Sequence, residues 1–231
     1  LGNYAVETDF YWKYGPAAAA LKQGRILIEH FDSKGWGYPA AVAGVSMLGV
    51  SLFRAGQIVE LLSACAAAWF LYRLHRSLLG PTLALLSLFV LLGNPTFLAN
   101  TYEVGTDMFF FALVLGSLAL LLRSGEPGWA AVLGSGLLGG WAFSTRYNGF
   151  FLWPAGVFAI VALRAHRGGG AERWRSAGVF SAGFLLGALP WLVVNAIHTG
   201  NPLTNNNYTN VGYSVYGGGD WEKFFYGSER K

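Results

Sequence analysis

Residues 107–123 read DMFFFALVLGSLALLLR, a continuous apolar run with an aspartate at its start and an arginine at its end. Apolar residues that follow one another without alternation are typical of a membrane helix, and not of a strand in an outer-membrane barrel. The sequence therefore predicts an all-α, polytopic helical membrane protein. Further apolar runs occupy about 38–53, 57–74, 80–94, 128–145, 149–164 and 176–197.

The composition agrees with this class. Hydrophobic residues make up 54% of the chain and charged residues only 12%, against about 25% charged in an ordinary soluble domain. The net charge of +4 is modest, and no basic cluster interleaves with exposed aromatics, which disfavours a nucleic-acid partner. The single cysteine, Cys65, excludes an intrachain disulfide and lies inside an apolar run.

The distribution of Lys and Arg predicts the orientation. The loops around residues 73–76 and 164–175 are basic and are expected to be cytoplasmic, whereas 94–106 and 198–220 contain no Lys or Arg and are expected to lie outside. We therefore expect three regions: an extracytoplasmic loop with surface and re-entrant helices over 1–56, a bundle of about six spans over 57–197, and a second outer loop over 198–231. The sequence starts without Met and ends in a polar stretch, as a piece of a longer protein would.

Two segments of the first region are short. Run 38–53 is either a re-entrant or interfacial helix or a span whose N-terminal side is cytoplasmic, and its length favours the first alternative. Before it, Pro16 and Gly24 bracket an alanine-rich stretch. Proline at the start and glycine just past the end predict a short helix, which would lie along the membrane surface.

The acidic residues are few and unevenly placed. Only 12 Asp and Glu occur in the chain. Asp9 precedes the first apolar run, and Glu103 and Asp107 lie between two later runs. A carboxylate in hydrocarbon costs about 2.5–3.5 kcal/mol, so its position in a membrane protein is a functional lead. Acids at run ends indicate an active site at the lipid–water boundary, although an aspartate such as Asp107 also stabilises a helix start.

The order of several short motifs resembles a known superfamily. Asp9 is followed by KGWGYP at 34–39, by YEVGTD at 102–107 and by TRY at 145–147. Together these resemble the GT-C superfamily of membrane glycosyltransferases, in the branch of the bacterial protein O-mannosyltransferases and lipid A aminoarabinose transferases. The resemblance implies a GT-C-like transmembrane module, with an outer loop bearing short surface helices, that uses polyprenyl-phosphate sugars.

The resemblance also implies catalytic roles for the acids. Asp9 matches the essential acid of the first outer loop and is our candidate for the general base. Asp107 is the candidate for the second acid. Glu103 lies one turn before Asp107 if that helix starts early, so both acids would then face one site. A divalent metal between Asp9 and Asp107 stays an open alternative, although no His/Cys cluster has metal-ligand spacing.

Four further residues are candidates for substrate binding. Arg146 is a lone cation in a short predicted outer loop and could grip a phosphate bidentately. Lys34 matches the lysine that precedes the Gly/Pro turn in the family. The aromatic neighbours Tyr102 and Tyr147 complete the predicted binding residues.

Three functions remain to be weighed. The favoured one is transfer of a sugar from a lipid-linked donor to an unknown acceptor (lipid, glycan or protein) at the outer face of a bacterial inner membrane. The alternative is a membrane transporter or lipid flippase, which is disfavoured because the acids appear at run ends and not at run centres. The third is a non-catalytic subunit that only recognises a lipid-linked sugar.

Overall fold

A computed structural model describes residues 9–31, 35–122, 128–162 and 169–204. These residues form helices and connecting turns, with no β-strand among them. The all-α class predicted from the continuous apolar runs is therefore confirmed. The nine α-helices of the described ranges are α1 Gly15–Lys22, α2 Gly37–Ser46, α3 Leu52–Leu79, α4 Pro81–Leu92, α5 Pro95–Tyr102, α6 Asp107–Leu121, α7 Trp129–Thr145, α8 Leu152–Val161 and α9 Gly170–Thr199.

The helices differ in whether they can cross a bilayer. Within the described ranges, α3 and α9 are long and apolar enough, and α4 with α5 makes a third span if this pair, bent by 63°, is counted as one. Helix α6 and the segment Tyr147–Val161 are apolar but shorter. The expectation of about six spans stays a prediction.

The N-terminal helices are short, as the sequence indicated. Helix α1 has proline in its first turn and Gly24, with φ of +70°, just past its end, which confirms the predicted helix. Helix α2 has 10 residues, or about 15 Å, half of a typical hydrocarbon core. Run 38–53 is thus not one helix: α2 ends at Ser46, Gly49 adopts φ of +87°, and α3 begins at Leu52 with Ser51 as its N-cap.

Helix α3 is the central element of one half of the fold. Near its start, Gly56 lies against Phe10, Tyr38 and Val104, and a Cβ at this glycine would clash with the Val104 side chain. Near its end, the Ser77 hydroxyl donates to the Leu122 carbonyl at 3.2 Å. Because Val104 precedes α6 and Leu122 follows it, α3 and α6 run in the same direction.

Helix α6 in turn packs against α7 through a pair of buried serines. The Ser117 hydroxyl donates to the Ser135 carbonyl at 2.9 Å, and the Ser135 hydroxyl donates to the Ser117 carbonyl at 2.8 Å. Both side chains are at most 2% exposed. Such reciprocal bonds between helices stabilise apolar bundles, where water offers no alternative partner.

Helices α7 and α9 approach each other backbone to backbone. Gly136 and Gly140 of α7 and Gly183 and Gly187 of α9 form two G-x-x-x-G motifs, and a Cβ at each would clash with the backbone of the other helix. The contacts advance in the same direction along both helices, which makes the pair parallel. Small residues at a membrane-helix interface allow this close packing, which we call the glycine seam.

Candidate functional site

An ion pair joins the start of α6 to the end of α7. An Arg146 guanidinium nitrogen contacts an Asp107 carboxylate oxygen and donates to the Thr106 hydroxyl at 3.4 Å. The Phe110 ring centroid lies 6.0 Å from the guanidinium carbon. Arg146 is 27% exposed and Asp107 56% exposed. The arginine is therefore largely enclosed by its neighbours, whereas the carboxylate is open to solvent on one side.

The fold explains why these two residues meet. Asp107 is the first residue of α6, where the free N–H groups and the helix dipole stabilise a carboxylate. Arg146 follows the last residue of α7 in an extended conformation, with φ of −141°. Leu120 lies against Gly134 while Phe109 lies against Trp141, so α6 and α7 run in opposite directions and the start of one lies beside the end of the other.

The predicted general base lies at the same end of the bundle. Asp9 is half-buried and accepts a hydrogen bond of 3.4 Å from the Tyr14 hydroxyl. The next residue, Phe10, is 3% exposed and contacts Gly56, as does Val104. The acid-bearing N-terminal segment and the segment that leads to α6 therefore meet on one turn of α3.

The Gly/Trp-rich loop before α2 closes the other side of this end. Gly35 packs against the backbone of Ser144, two residues before Arg146. The Trp141 indole N–H donates to the Gly37 carbonyl at 3.2 Å. The predicted phosphate ligand Lys34 lies outside the described residues.

The other predicted site residues, Glu103, Tyr102 and Tyr147, each have a different environment. Glu103 is half-buried and caps the end of α5, not a turn of α6, because α6 begins only at Asp107. Helix α6 therefore does not start early enough to put Glu103 and Asp107 on one helical face. Tyr102 is 69% exposed. Tyr147 donates its hydroxyl to the Thr204 carbonyl at 3.1 Å, which fastens the turn after α9 to the bundle.

A deep apolar groove opens beside this site. It has a volume of about 850 Å³ and is lined from α2, α3, α6, α7 and α9. Trp36, Trp141 and Ser144 line the end nearest Arg146, and Phe70 of α3 lines the far end. From Val59 to Phe70 the groove follows α3 for about 16 Å at 1.5 Å per residue.

A second, more polar cleft lies on the other side of Asp107. It has a volume of about 440 Å³ and includes side chains from α4, α5 and α6. The polar side chains that line it are Asn94, Thr96, Asn100 and Asp107. Amide, hydroxyl and carboxylate groups of this kind are suited to bind sugar hydroxyls. Asp107 thus contacts Arg146 and also borders a polar cleft.

Glu60 is a buried acid that the predicted site did not include. This residue lies in α3, inside the predicted run 57–74, and is only 1% exposed. Because α3 begins at Leu52, Glu60 lies about two turns inside this helix. Tyr38, which is fully buried, places its hydroxyl near Gly56, one turn before Glu60. A carboxylate within an apolar run was the available signal, and such a group is a functional candidate by default.

The described residues offer no metal cage. Within residues 9–31, 35–122, 128–162 and 169–204, no group of three or more His, Cys, Asp or Glu side chains is arranged to hold a metal ion.

The comparison with known families identifies the class. The fold is a helical membrane protein with an acid–arginine site at one end of the bundle, beside a lipid-sized groove. Residues 33–194 match the family model described as dolichyl-phosphate-mannose-protein mannosyltransferase. The match covers well over half of the chain, so the protein belongs to this family of membrane glycosyltransferases, as the resemblance indicated. No curated protein and no solved structure matches the chain.

Proposed function

We propose that this protein transfers a sugar from a polyprenyl-phosphate donor to an acceptor hydroxyl at the outer face of the membrane. The observation that carries the proposal is the Asp107–Arg146 ion pair, which lies at the same end of the bundle as Phe109 and Ser144 of the apolar groove. A lipid-phosphate donor combines a long apolar chain with an anionic head, and this end of the bundle offers one surface for each.

The groove supports the lipid part of the proposal. Its walls are almost entirely aliphatic and aromatic, from Val45 and Val59 at the α2 side to Leu186 and Pro190 at the α9 side. Burial of apolar chain is worth about 0.8 kcal/mol per CH₂ group relative to water. A polyprenyl chain in this groove would leave its phosphate near Ser144 and Arg146.

Arg146 supports the phosphate part. Its guanidinium is planar, permanently charged and able to form two parallel hydrogen bonds to phosphate oxygens. Asp107 and Thr106 fix the direction of this guanidinium, which places it for the transition state of transfer. In this proposal Asp107 is a positioning residue for Arg146 and also borders the polar cleft in which the sugar or acceptor would lie.

The chemical step needs a base and a stabilised leaving group. The acceptor oxygen bonds to C1 of the sugar while the bond between C1 and the phosphate oxygen breaks. Asp9 takes the acceptor proton, and the released polyprenyl phosphate keeps the electron pair, with its charge stabilised by Arg146. Tyr14 holds Asp9 through the hydrogen bond to its carboxylate.

One observation favours a second candidate, a lipid flippase or transporter. Glu60 is an acid inside a membrane helix, a position that is common along transport pathways. Family membership favours the transferase. Movement of labelled lipid from one leaflet of a proteoliposome to the other, without any sugar transfer, would reverse that preference.

The test uses the full-length protein in proteoliposomes with polyprenyl-phosphate mannose as the first donor. Transfer should fall about 10²–10⁴-fold in Asp9→Asn, because a general base contributes on that scale, while donor affinity stays within about twofold. The matched control is Glu29→Gln, an exposed acid of the same N-terminal region, which should keep full activity. Equal activity in Asp9→Asn and Glu29→Gln would remove Asp9 from the mechanism.

A further inference from the structure

Another cleft, separate from the polar cleft beside Asp107, lies at the end of the bundle opposite the Asp107–Arg146 site. It has a volume of about 540 Å³ and opens between the last turns of α3 and α6. Gly56 lies near the start of α3, at the end of the bundle that carries the Asp107–Arg146 site. Ser77, which lines the cleft, lies 21 residues further along the same helix. At 1.5 Å per residue the two positions are about 32 Å apart, so the cleft lies far from Asp107 and Arg146, although it shares Phe70 with the far end of the apolar groove.

Two arginines line this cleft side by side. Arg73 and Arg76 are three residues apart on α3, and side chains at this spacing lie on one helix face. Two guanidinium groups on one face repel each other unless an anion lies between them. Among the residues that the structure describes, neither arginine forms an ion pair with a carboxylate. The cleft therefore presents a concentrated positive charge.

The rest of the cleft is suited to a lipid and not to a small solute. Trp69 stacks under Arg73, with the guanidinium carbon 5.8 Å from the ring centroid, and is 58% exposed. Tryptophan prefers the headgroup level of a bilayer. Phe70 and Leu120 form an apolar wall beside the charges, where an acyl chain can lie.

We propose that this cleft binds the phosphate headgroup of an anionic phospholipid, with Arg73 and Arg76 as its ligands and an acyl chain along Phe70 and Leu120. Basic pockets between membrane helices attract such lipids. The shared chemistry is a phosphate anion between two arginines. The apolar wall decides between a lipid and free phosphate in favour of the lipid. This inference does not depend on the proposed transferase reaction.

The test measures lipid retained by the purified full-length protein. After reconstitution with phosphatidylglycerol or with phosphatidylcholine, native mass spectrometry should show one retained phosphatidylglycerol and no retained phosphatidylcholine. In the double variant Arg73→Gln/Arg76→Gln the retention should fall roughly tenfold or more. The matched control is Arg175→Gln, because Arg175 also stacks on a tryptophan, Trp129, at 4.6 Å but lies outside the cleft; it should retain the lipid.

Three outcomes would overturn the proposal. One is equal retention of the two lipids by the native protein. Another is an equal loss in Arg175→Gln and in the double variant, which would show only general surface attraction. The third is displacement of the lipid by millimolar inorganic phosphate, which would indicate a free-anion site. A single Arg76→Lys variant separates misfolding from lost binding, since it keeps the charge and should retain part of the lipid.

Discussion

Arg146 is held by Asp107 across the boundary between two helices, one ending and the other beginning. The carboxylate neutralises part of the charge that we propose to bind a phosphate, so Asp107 and the donor compete for the same guanidinium. This competition leads to opposite predictions for the two partners.

Removal of the arginine should weaken donor binding. We expect Arg146→Gln to raise the Kd of a polyprenyl-phosphate donor about 10- to 100-fold, because charge-assisted hydrogen bonds are lost. Isothermal titration in detergent with the donor lipid measures this directly. An unchanged Kd would exclude Arg146 as the phosphate ligand.

Removal of the carboxylate should have the opposite effect on binding and should still slow transfer. Asp107→Asn frees the guanidinium, and we expect donor affinity to increase about two- to fivefold, the scale of a partly exposed ion pair. The transfer rate should nevertheless fall, because Arg146 loses its fixed orientation. Weaker binding in Asp107→Asn would contradict the competition.

Tyr14 should matter to catalysis more than to stability. The variant Tyr14→Phe removes only the hydroxyl that donates to Asp9, so stability should decrease by about 1 kcal/mol. We expect kcat to fall less than in Asp9→Asn and KM for the donor to stay constant. Single-turnover transfer and thermal unfolding, measured on the same preparation, separate the two effects.

The groove can be tested through the length of the lipid. Gly44 lines the groove, and a Cβ there would meet open space, so Gly44→Leu should fold and fill part of the volume. We expect KM for a long-chain donor to rise several-fold while a donor of two isoprene units is used as before. Gly178→Leu is the control, because Gly178 is also unhindered but lies outside the groove. Equal effects on both donors would place the lipid elsewhere.

The glycine seam should tolerate no side chain. We expect Gly140→Leu to lower the free energy of unfolding by about 3 kcal/mol or more, because the new side chain would push against the backbone of Phe184. Thermal unfolding in detergent checks this, with Gly178→Leu of the neighbouring helix as the matched control. Similar melting temperatures for the two variants would contradict the backbone-to-backbone contact.

The sequence predicted the features that depend on local composition. Continuous apolar runs indicated helices, and the bracketing by Pro16 and Gly24 predicted α1 closely. The break inside run 38–53 was not predicted, because apolar residues continue through it. Its physical cause is Gly49, which adopts a positive φ that most other residues avoid.

The pairings within the site depend on tertiary packing. Asp107 was identifiable as an acid at a helix start, but its contact with Arg146 requires α6 and α7 to lie side by side in opposite directions. The serine pair that holds them reads as two ordinary small residues in the sequence. Glu60 stands in the sequence as a carboxylate among apolar residues, but its near-complete burial depends on how the helices pack around α3.

The glycine seam also restricts the motion of α7 and α9 relative to each other. Two helices in backbone contact along their length cannot slide past each other without breaking many close contacts at once, so α7 and α9 form one stiff wall of the groove. The opposite wall includes α2, a short helix whose first residue, Gly37, is held to α7 by the hydrogen bond from the Trp141 indole. A long lipid tail in the groove would therefore have to adapt its own conformation to the α7–α9 wall, which acts as a fixed frame for whatever the groove holds.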